Sequence, residues 1–531
     1  MTESVTMDES NRPIQQVVIV GGGTAGWLTA CILGAEFESG EQGLTITLVE
    51  SPDTPTIGVG EGTWPSMRST LKKIGISETT FMRHCGASLK QGTYFRQWRE
   101  DAASDSYYHP FTPPLGYAET NLAEHWLAGL CRDKPFAQAV TPQSALCDRA
   151  AAPKQIGIPE YGYVLNYGYH LDAGRFADLL QQTATQQFGV THLQEHIEQV
   201  ETRSSGDIDA LVTRTGKHIA GDLFVDCSGF ESLLLSGHYQ VPLVPVDRYL
   251  FNNRALAVQV PYEATAEAIR STTWSTAQDS GWIWDIGLRD RRGVGYVHAA
   301  DYCSDAQAHD ALDRYLKETG VTKGLDALAP RMINFQSGYR QQLWHRNCVA
   351  IGLSGGFVEP LEASALVLIE LSARALADNL PADRSLMDLT ARNFNEEFTG
   401  RWEQIIDFLK LHYVLSARDN SPYWRDNRHE SSTPESLKEK LRLWQSRAPW
   451  HQDERRSDEL FPSASYQYVL YGMGFQTRVN QARRGFPQAQ QRAQKFMQEV
   501  DQQVAKFSAH LPSNRDLLQQ VHERSFPGAQ G

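Results

Sequence analysis

Hydrophobic and polar positions change period several times along the chain. Residues 17–20 (VVIV) are a run of apolar β-formers that breaks into Gly21, Gly23 and Gly26 and continues as a helical pattern to Ala30. A second apolar run, residues 44–49 (LTITLV), ends in Glu50. Residues 67–74 have a helical period, and residues 87–98 (ASLKQGTYFRQW) alternate as a strand, with Ser88, Lys90, Gly92 and Tyr94 on one face. Pattern alone reads Lys90 as a mid-strand lysine on a solvated sheet face.

Residues 101–165 are rich in Pro, Tyr and His with little periodicity, so they read as long loops over a cleft, a place where recognition residues such as His109 and Phe111 often sit. Residues 171–182 look helical. Residues 221–229 (GDLFVDCSG) read as an apolar strand that runs into a small-residue turn at Asp226. From 255 to 302 the chain turns β-rich, as an antiparallel sheet would, with Trp282 and Trp284 on one face of their strand. Residues 347–353 give a further strand. A turn at Ser354-Gly355-Gly356 follows, and Pro360 then precedes a long helical pattern whose first turn holds Glu362. Taken alone, Glu362 complements the helix dipole. Helical periods dominate 391–531, with Trp424 and Arg425 in a loop and a polar stretch over 445–465.

The glycine frame adds chemistry to this pattern. Gly-x-Gly-x-x-Gly between a strand and a helix permits a tight turn and close backbone approach to a pyrophosphate, whose charge sits at the helix N-terminus. Glu50 follows Gly26 by 24 residues, where a dinucleotide-binding unit places the carboxylate that accepts ribose hydroxyls. The turn at 354–356 and the helix after it form a second dipole end suited to a cofactor or an anion.

Length and charge narrow the partners. A chain of 531 residues exceeds the size at which one core stops growing, so two or three modules are expected. Lys and Arg number 50 against 63 Asp and Glu, and the net charge of −13 argues against nucleic acid or anionic membranes as partners. Seven scattered cysteines without Cys-x-x-Cys fit reduced thiols rather than a disulfide framework or a metal site. The sequence shows no apolar run of membrane-spanning length and no signal-peptide pattern, so a soluble, cytoplasmic protein with a short disordered tail is expected.

The glycine loop, Gly58 to Gly62, the Asp226 to Gly229 turn and the Gly352 to Glu362 stretch together resemble the FAD-dependent monooxygenase superfamily. A narrower resemblance, over about residues 16–510, is to flavin-dependent halogenases of the tryptophan-halogenase type. WIWDIG at 282–287 is similar to their Trp-x-Trp-x-Ile-Pro element, ASLKQGTYF to the strand bearing their essential lysine, and PLEAS to the segment bearing their active-site glutamate. The resemblance implies an α/β fold: a Rossmann-like FAD-binding domain, an inserted antiparallel β-sheet substrate region and a C-terminal helical subdomain. The expected divisions are a disordered tail (1–15), the first FAD-binding module with the lysine strand (16–100), inserted loops and helices over the cleft (101–220), second FAD-binding segments with the sheet (221–390) and helices (391–531).

It further implies reduced FAD supplied by a separate flavin reductase, met transiently through diffusing cofactor, and a halide ion as co-substrate. Hypohalous acid formed from these and dioxygen travels through a tunnel to an aromatic substrate. Lys90 and Glu362 inherit the catalytic roles. Gly21, Gly23, Thr24, Ala25, Gly26, Glu50, Gly60, Asp226, Gly352, Gly355 and Gly356 inherit cofactor binding, and Ser364 and Ala365 halide binding. His109, Phe111 and Phe461 would line the substrate pocket, while Trp282 and Trp284 would block the position an ordinary monooxygenase gives its substrate. A homodimer is a family-level expectation.

Three departures bear on substrate and halide. Gly287 replaces the final proline of the tryptophan element; Ala363-Ser364-Ala365 replaces the Ser-Thr-Gly that commonly follows the glutamate; and DELFPSASYQYVL (458–470) lacks the tyrosine and glutamate clamp that grips an amino acid. An indole-like or other electron-rich substrate is therefore expected rather than free tryptophan, with bromide preferred. Two other readings stay open: a single-component FAD-dependent aromatic hydroxylase using NAD(P)H, and a non-catalytic flavin-binding protein, against which the retained Lys90 and Glu362 argue.

Overall fold

In the computed structural model, which describes residues 13–40, 43–53, 60–264, 267–454 and 459–529, the first apolar run is the strand Gln16–Val20 inside a six-stranded sheet. Across that sheet lie Trp344–His345, Cys348–Ala350, Leu223–Asp226, Gln16–Val20, Thr45–Glu50 and Thr191–Gln194, parallel except for the first pair. Strands covered on both faces read as continuous apolar runs, which is why VVIV does not alternate. Val17 and Ile19 face one core shared with the helices Thr24–Glu36, Ala173–Gln187 and Ser364–Asp378. Val18 and Val20 face a second core with the small antiparallel sheet Ile197–Thr202, Ile208–Thr213 and His218–Ala220.

The β-rich region forms a seven-stranded sheet in the order Arg331–Asn334, Arg254–Pro261, Arg291–His298, Gly281–Gly287, Thr273–Gln278, Gly92–Arg96 and Ser106–Pro110. It is antiparallel apart from one parallel pairing, Thr273–Gln278 with Gly92–Arg96. Its tryptophan strand is buried along its whole length. Trp282 and Trp284 enter the main core, and Ile283 enters another beneath the helix Asp305–Glu318, as a period of two requires. Gly287 keeps strand pairing with Arg292 and accepts a hydrogen bond from Ser88 Oγ at 2.5 Å, so the absent proline leaves the local backbone regular.

Several sequence expectations are corrected. The alternating stretch 87–98 is two strands in different sheets: Ser88–Lys90 pairs with Gly168–Asp172, and Gly92–Arg96 joins the seven-stranded sheet. The switch is made at Gly92, φ +143°, where a Cβ would lie 2.3 Å from the His109 carbonyl oxygen. Residues 101–165 are less irregular than expected, because they contain the strand Ser106–Pro110 and short helices too brief to show a period. Trp424 and Arg425 lie in the helix Pro422–Asn427, started by a proline in its first turn, and not in a loop. Of the expected tail, residues 1–12 fall outside the described residues, while Pro13 bridges Asp383 and Ile14 is buried. Gly58 and Val59 also fall outside them; Gly60–Gly62 is a strand paired with Gly168–Asp172. All seven cysteines are unpaired, and no helix among the described residues is long and apolar enough to cross a membrane.

The tryptophan strand is fastened by Asp285, which is buried between Arg270 (2.5 Å) and Arg292 (3.0 Å through Nε) and accepts from Tyr315 of the outer helix at 2.9 Å. Burial would raise its carboxyl, but the two guanidiniums hold it far below the usual carboxylate range. Because the folded value lies below the unfolded one, the stabilisation is complete above about pH 4 and is lost as pH falls towards the folded value. Asp285→Asn is expected to cost about 3–5 kcal/mol by stranding two guanidiniums, and to flatten the acid limb of the stability profile, both read by denaturant unfolding across pH.

Candidate active site

The glycine turn is built for a close visitor. Gly21 has φ +118°, and a Cβ there would lie 2.2 Å from the Cys227 carbonyl oxygen; one at Gly26 would lie 1.9 Å from the Gly21 carbonyl oxygen. Backbone packing therefore demands both glycines. Gly23 differs, since a Cβ on it would meet nothing within 4 Å, leaving open space beside the N-terminus of the helix Thr24–Glu36. That helix begins with Thr24 and Ala25 and has no side-chain cap, so its first amide groups are available to a pyrophosphate. Glu50 ends the neighbouring strand; one carboxylate oxygen is 2.6 Å from His192 Nε2, and the other sits against Gly22. These residues fit the phosphate and ribose of FAD.

The second turn closes on the first. Gly352, at φ +84°, packs against Ala25, where a Cβ would come within 2.8 Å of the Ala25 Cβ. Gly352, Gly355 and Gly356 line a cleft with Ser364 and Ala365, walled by Phe398 and Trp402 of the long helix Arg384–Val414. Ser364 starts a helix whose N-cap, Ala363, supplies no side-chain bond, so the amides of its first turn suit an anion. Asp226 has a different part: its carboxylate accepts from the Ser228 amide and hydroxyl and from the Leu234 and Leu235 amides, bracing the turn from within. Gly60 lies beneath the tryptophan strand, where a Cβ on it would meet Ile286 and Leu288, each at 3.7 Å.

Lys90 and Glu362, 272 residues apart in sequence, converge in one interior. Lys90 is 1% exposed and is the last residue of its strand, not a mid-strand lysine on a wet face. Its Nζ would lie 3.0 Å from a Cβ on Gly62, with the Ala363 Cβ 3.3 Å from the same point, so Gly62 leaves the ammonium its room. The ammonium makes no ion pair or hydrogen bond among the described residues, and sits 5.4 Å from the Phe111 ring centroid. Burial pushes it down to about 8, against the opposing pull of the Glu362 charge.

Glu362 does not occupy a first helical turn. It and Ala363 adopt left-handed backbone, at φ 66° and 55°, just before the helix Ser364–Asp378. Such conformations cost side-chain-bearing residues about 1–3 kcal/mol each and persist only where the surroundings hold them. Here Trp64 Nε1 donates to the Glu362 carbonyl at 2.8 Å. The carboxylate accepts from His109 Nδ1 at 2.7 Å and from Thr93 Oγ1 at 3.1 Å, and lies 3.5 Å from His412 Nε2. Burial would raise the carboxyl, but chiefly the charge and hydrogen bond of His109 hold it below the usual range. His412, pushed down to about 3 by burial, is neutral and bonded to the Tyr107 hydroxyl at 2.6 Å.

Aromatic rings surround these groups. Phe461 stacks on Phe408 at 3.8 Å and meets Trp64 edge-on at 5.0 Å. His109 lies 5.6 Å from Phe408. Trp282 is tied to the same strap as Glu362, since its Nε1 donates at 2.8 Å to Glu359, which also accepts from Asn252 (2.5 Å) and Tyr413 (2.9 Å). Sequence reasoning missed Thr93, Trp64, Phe408, His412 and Glu359. For two of them a signal existed: Phe408 and His412 are four apart, which puts them on one face of their helix. The others are brought in by tertiary folding alone.

The chain matches the family model for tryptophan halogenase over residues 16–488. It is 31% identical over 539 residues to the tryptophan 7-halogenase RebH of Lentzea aerocolonigenes, covering 96% of this chain and 99% of that protein. A crystal structure of a tryptophan halogenase from Shewanella frigidimarina NCIMB 400 is similar at TM-score 0.94 and 47% identity, covering 98% of this chain and all of that one. BrvH, a flavin-dependent halogenase from Brevundimonas sp. BAL3, is similar at TM-score 0.84 and 32% identity, covering 96% of this chain and 99% of that chain.

Since the Glu362 charge is what opposes desolvation at Lys90, Glu362→Gln is expected to move the Lys90 midpoint further below about 8. NMR titration of lysine-labelled protein, with Lys90→Met for assignment, reads the shift; an unchanged midpoint would mean that the two groups do not share a field.

Proposed function

The chain belongs to the tryptophan halogenase family of flavin-dependent enzymes, and from that premise we propose that it halogenates an indole-like, electron-rich arene in preference to free tryptophan, with bromide the favoured halide. The observation that carries the reading is the convergence of Lys90 and Glu362, both buried, in an interior walled by His109, Phe111 and Phe461. Gly21, Gly23, Gly26 and Glu50 would hold FAD, which, when bound in the form reduced by a separate reductase, would supply with dioxygen and halide the hypohalous acid that the site uses.

The steps at the ring belong to the chain's own residues. Below a midpoint of about 8 the Lys90 group is an ammonium with unspent donors, able to hydrogen-bond the hypohalite oxygen. As the carbon–halogen bond forms and the halogen–oxygen bond breaks, that oxygen leaves as hydroxide and takes a proton from Lys90 to become water. The ring becomes a cation, which the Glu362 carboxylate offsets before accepting the ring proton. His109 keeps that carboxylate ionised and aimed. The bare helix start at Ser364 and Ala365 is the anion seat on the cofactor side.

The substrate preference is supported by how the segment near Phe461 uses its polar groups. Tyr468 donates to the Thr112 carbonyl at 2.8 Å, Tyr471 shares a hydrogen bond with Thr477 at 3.3 Å, and Tyr466 packs under Lys440. Hydroxyls already spent on the protein are poor grips for an ammonium and a carboxylate, and a zwitterion buried without partners is costly.

With reductase, FAD, NADH, dioxygen and bromide, the protein is expected to give brominated indole, with kcat/KM for indole exceeding that for tryptophan. Lys90→Ala and Glu362→Gln should each lose about 10²-fold or more in product formation. Comparable turnover of tryptophan and indole would refute the substrate preference; bromination by Lys90→Ala at an undiminished rate would refute the role of Lys90; hydroxylated product without halide dependence would identify a hydroxylase.

A further inference from the structure

We propose that Phe408 sets the size of the arene this site accepts, by filling the space between His109 and Phe461; the inference rests on the halogenase reading above. His109 comes from the strand Ser106–Pro110 and Phe461 from the segment before the helix Ser463–Gly472, so the two approach from different elements. Their rings make no contact with each other. Phe408 links them, stacked on Phe461 at 3.8 Å with planes 9° apart and tilted 5.6 Å from His109. The face of Phe461 on the Phe408 side is therefore covered by a protein ring at the spacing a flat substrate would use.

Phe408 is fully buried and held on three further sides. Tyr466 meets it edge-on at 5.0 Å, His412 lies one helical turn along at 5.5 Å, and the helix Arg384–Val414 fixes its backbone. A close-packed interior gives way to added volume only at a cost. An arene wide enough to reach between His109 and Phe461 has to displace Phe408 and forfeit its contacts, and a tricyclic ring reaches further than a bicyclic one. The size limit thus comes from a residue that touches Phe461, His109 and His412 together, and through the two histidines it stands against the partners of Glu362.

The test compares bromination of indole and of carbazole by the wild type, Phe408→Leu and Phe408→Ala, each with reductase, FAD, NADH, dioxygen and bromide. The quantity read is the carbazole-to-indole ratio of kcat/KM within one variant, in which any general loss of activity cancels. In Phe408→Ala the ratio should rise about tenfold or more, through a lower KM for carbazole, with a smaller rise in Phe408→Leu. The leucine variant retains most of the volume and carries the test if the alanine variant does not fold, as judged by thermal unfolding. An unchanged ratio in the folded variants overturns the assignment. Failure of the wild type to brominate either arene would instead overturn the halogenase reading, and this inference with it.

Discussion

The structure turns on keeping one buried carboxylate ionised. Glu362 is 6% exposed, and a charge so placed must find its compensation inside the protein. Its neighbours come from different elements: Thr93 and His109 from the last two strands of the seven-stranded sheet, His412 from the long helix, and Trp64 on the backbone side from the segment after the second glycine cluster. Each brings its own anchoring with it. Tyr107, next but one to His109, ties His412 to the same strand, so the pair that faces Glu362 is also held together from behind.

The same constraint joins the cofactor side to the substrate side. Between Gly352 and Ser364 the chain passes from a turn packed on Ala25 to the left-handed pair Glu362 and Ala363, then straight into a helix without a side-chain cap. Within this short passage Glu359 takes hold of Trp282, and Glu362 takes hold of His109. The turn packed on Ala25 is thereby linked to the tryptophan strand and to the carboxylate through covalent backbone and two hydrogen bonds. Left-handed backbone at residues with side chains is tolerated because these bonds over-determine it.

Local structure was legible in the sequence where a residue's conformation depends on its neighbours in the chain. The frame Gly21, Gly23, Gly26 and the terminal Glu50 were readable because a strand-turn-helix unit needs them at fixed spacing, and the pairing of Trp282 with Trp284 followed from a period of two. What could not be read was burial. Lys90 alternates correctly with its neighbours, yet the chain changes sheets at Gly92 and leaves it inside, which no two-residue period can foretell. Glu362 looks like a first-turn acid because Pro360 and the helical run surround it, and only the left-handed pair reveals otherwise. Phe408 and Phe461 are 53 residues apart, and their stacking is set by packing alone.

That Lys90 and Glu362 share a cavity without forming an ion pair is itself informative. Two opposite charges in a low-dielectric interior attract strongly, so keeping them apart requires that each be held elsewhere. Glu362 is held by His109 and Thr93, whereas Lys90 is fixed by its strand and by the small room that Gly62 leaves. Direct pairing would spend the donors of the ammonium and the charge of the carboxylate on each other. Separated, the ammonium retains its donors while burial lowers its midpoint to about 8, and the carboxylate retains its charge chiefly through His109, with Lys90 adding a smaller pull. The two groups therefore reach one interior with neither spent on the other.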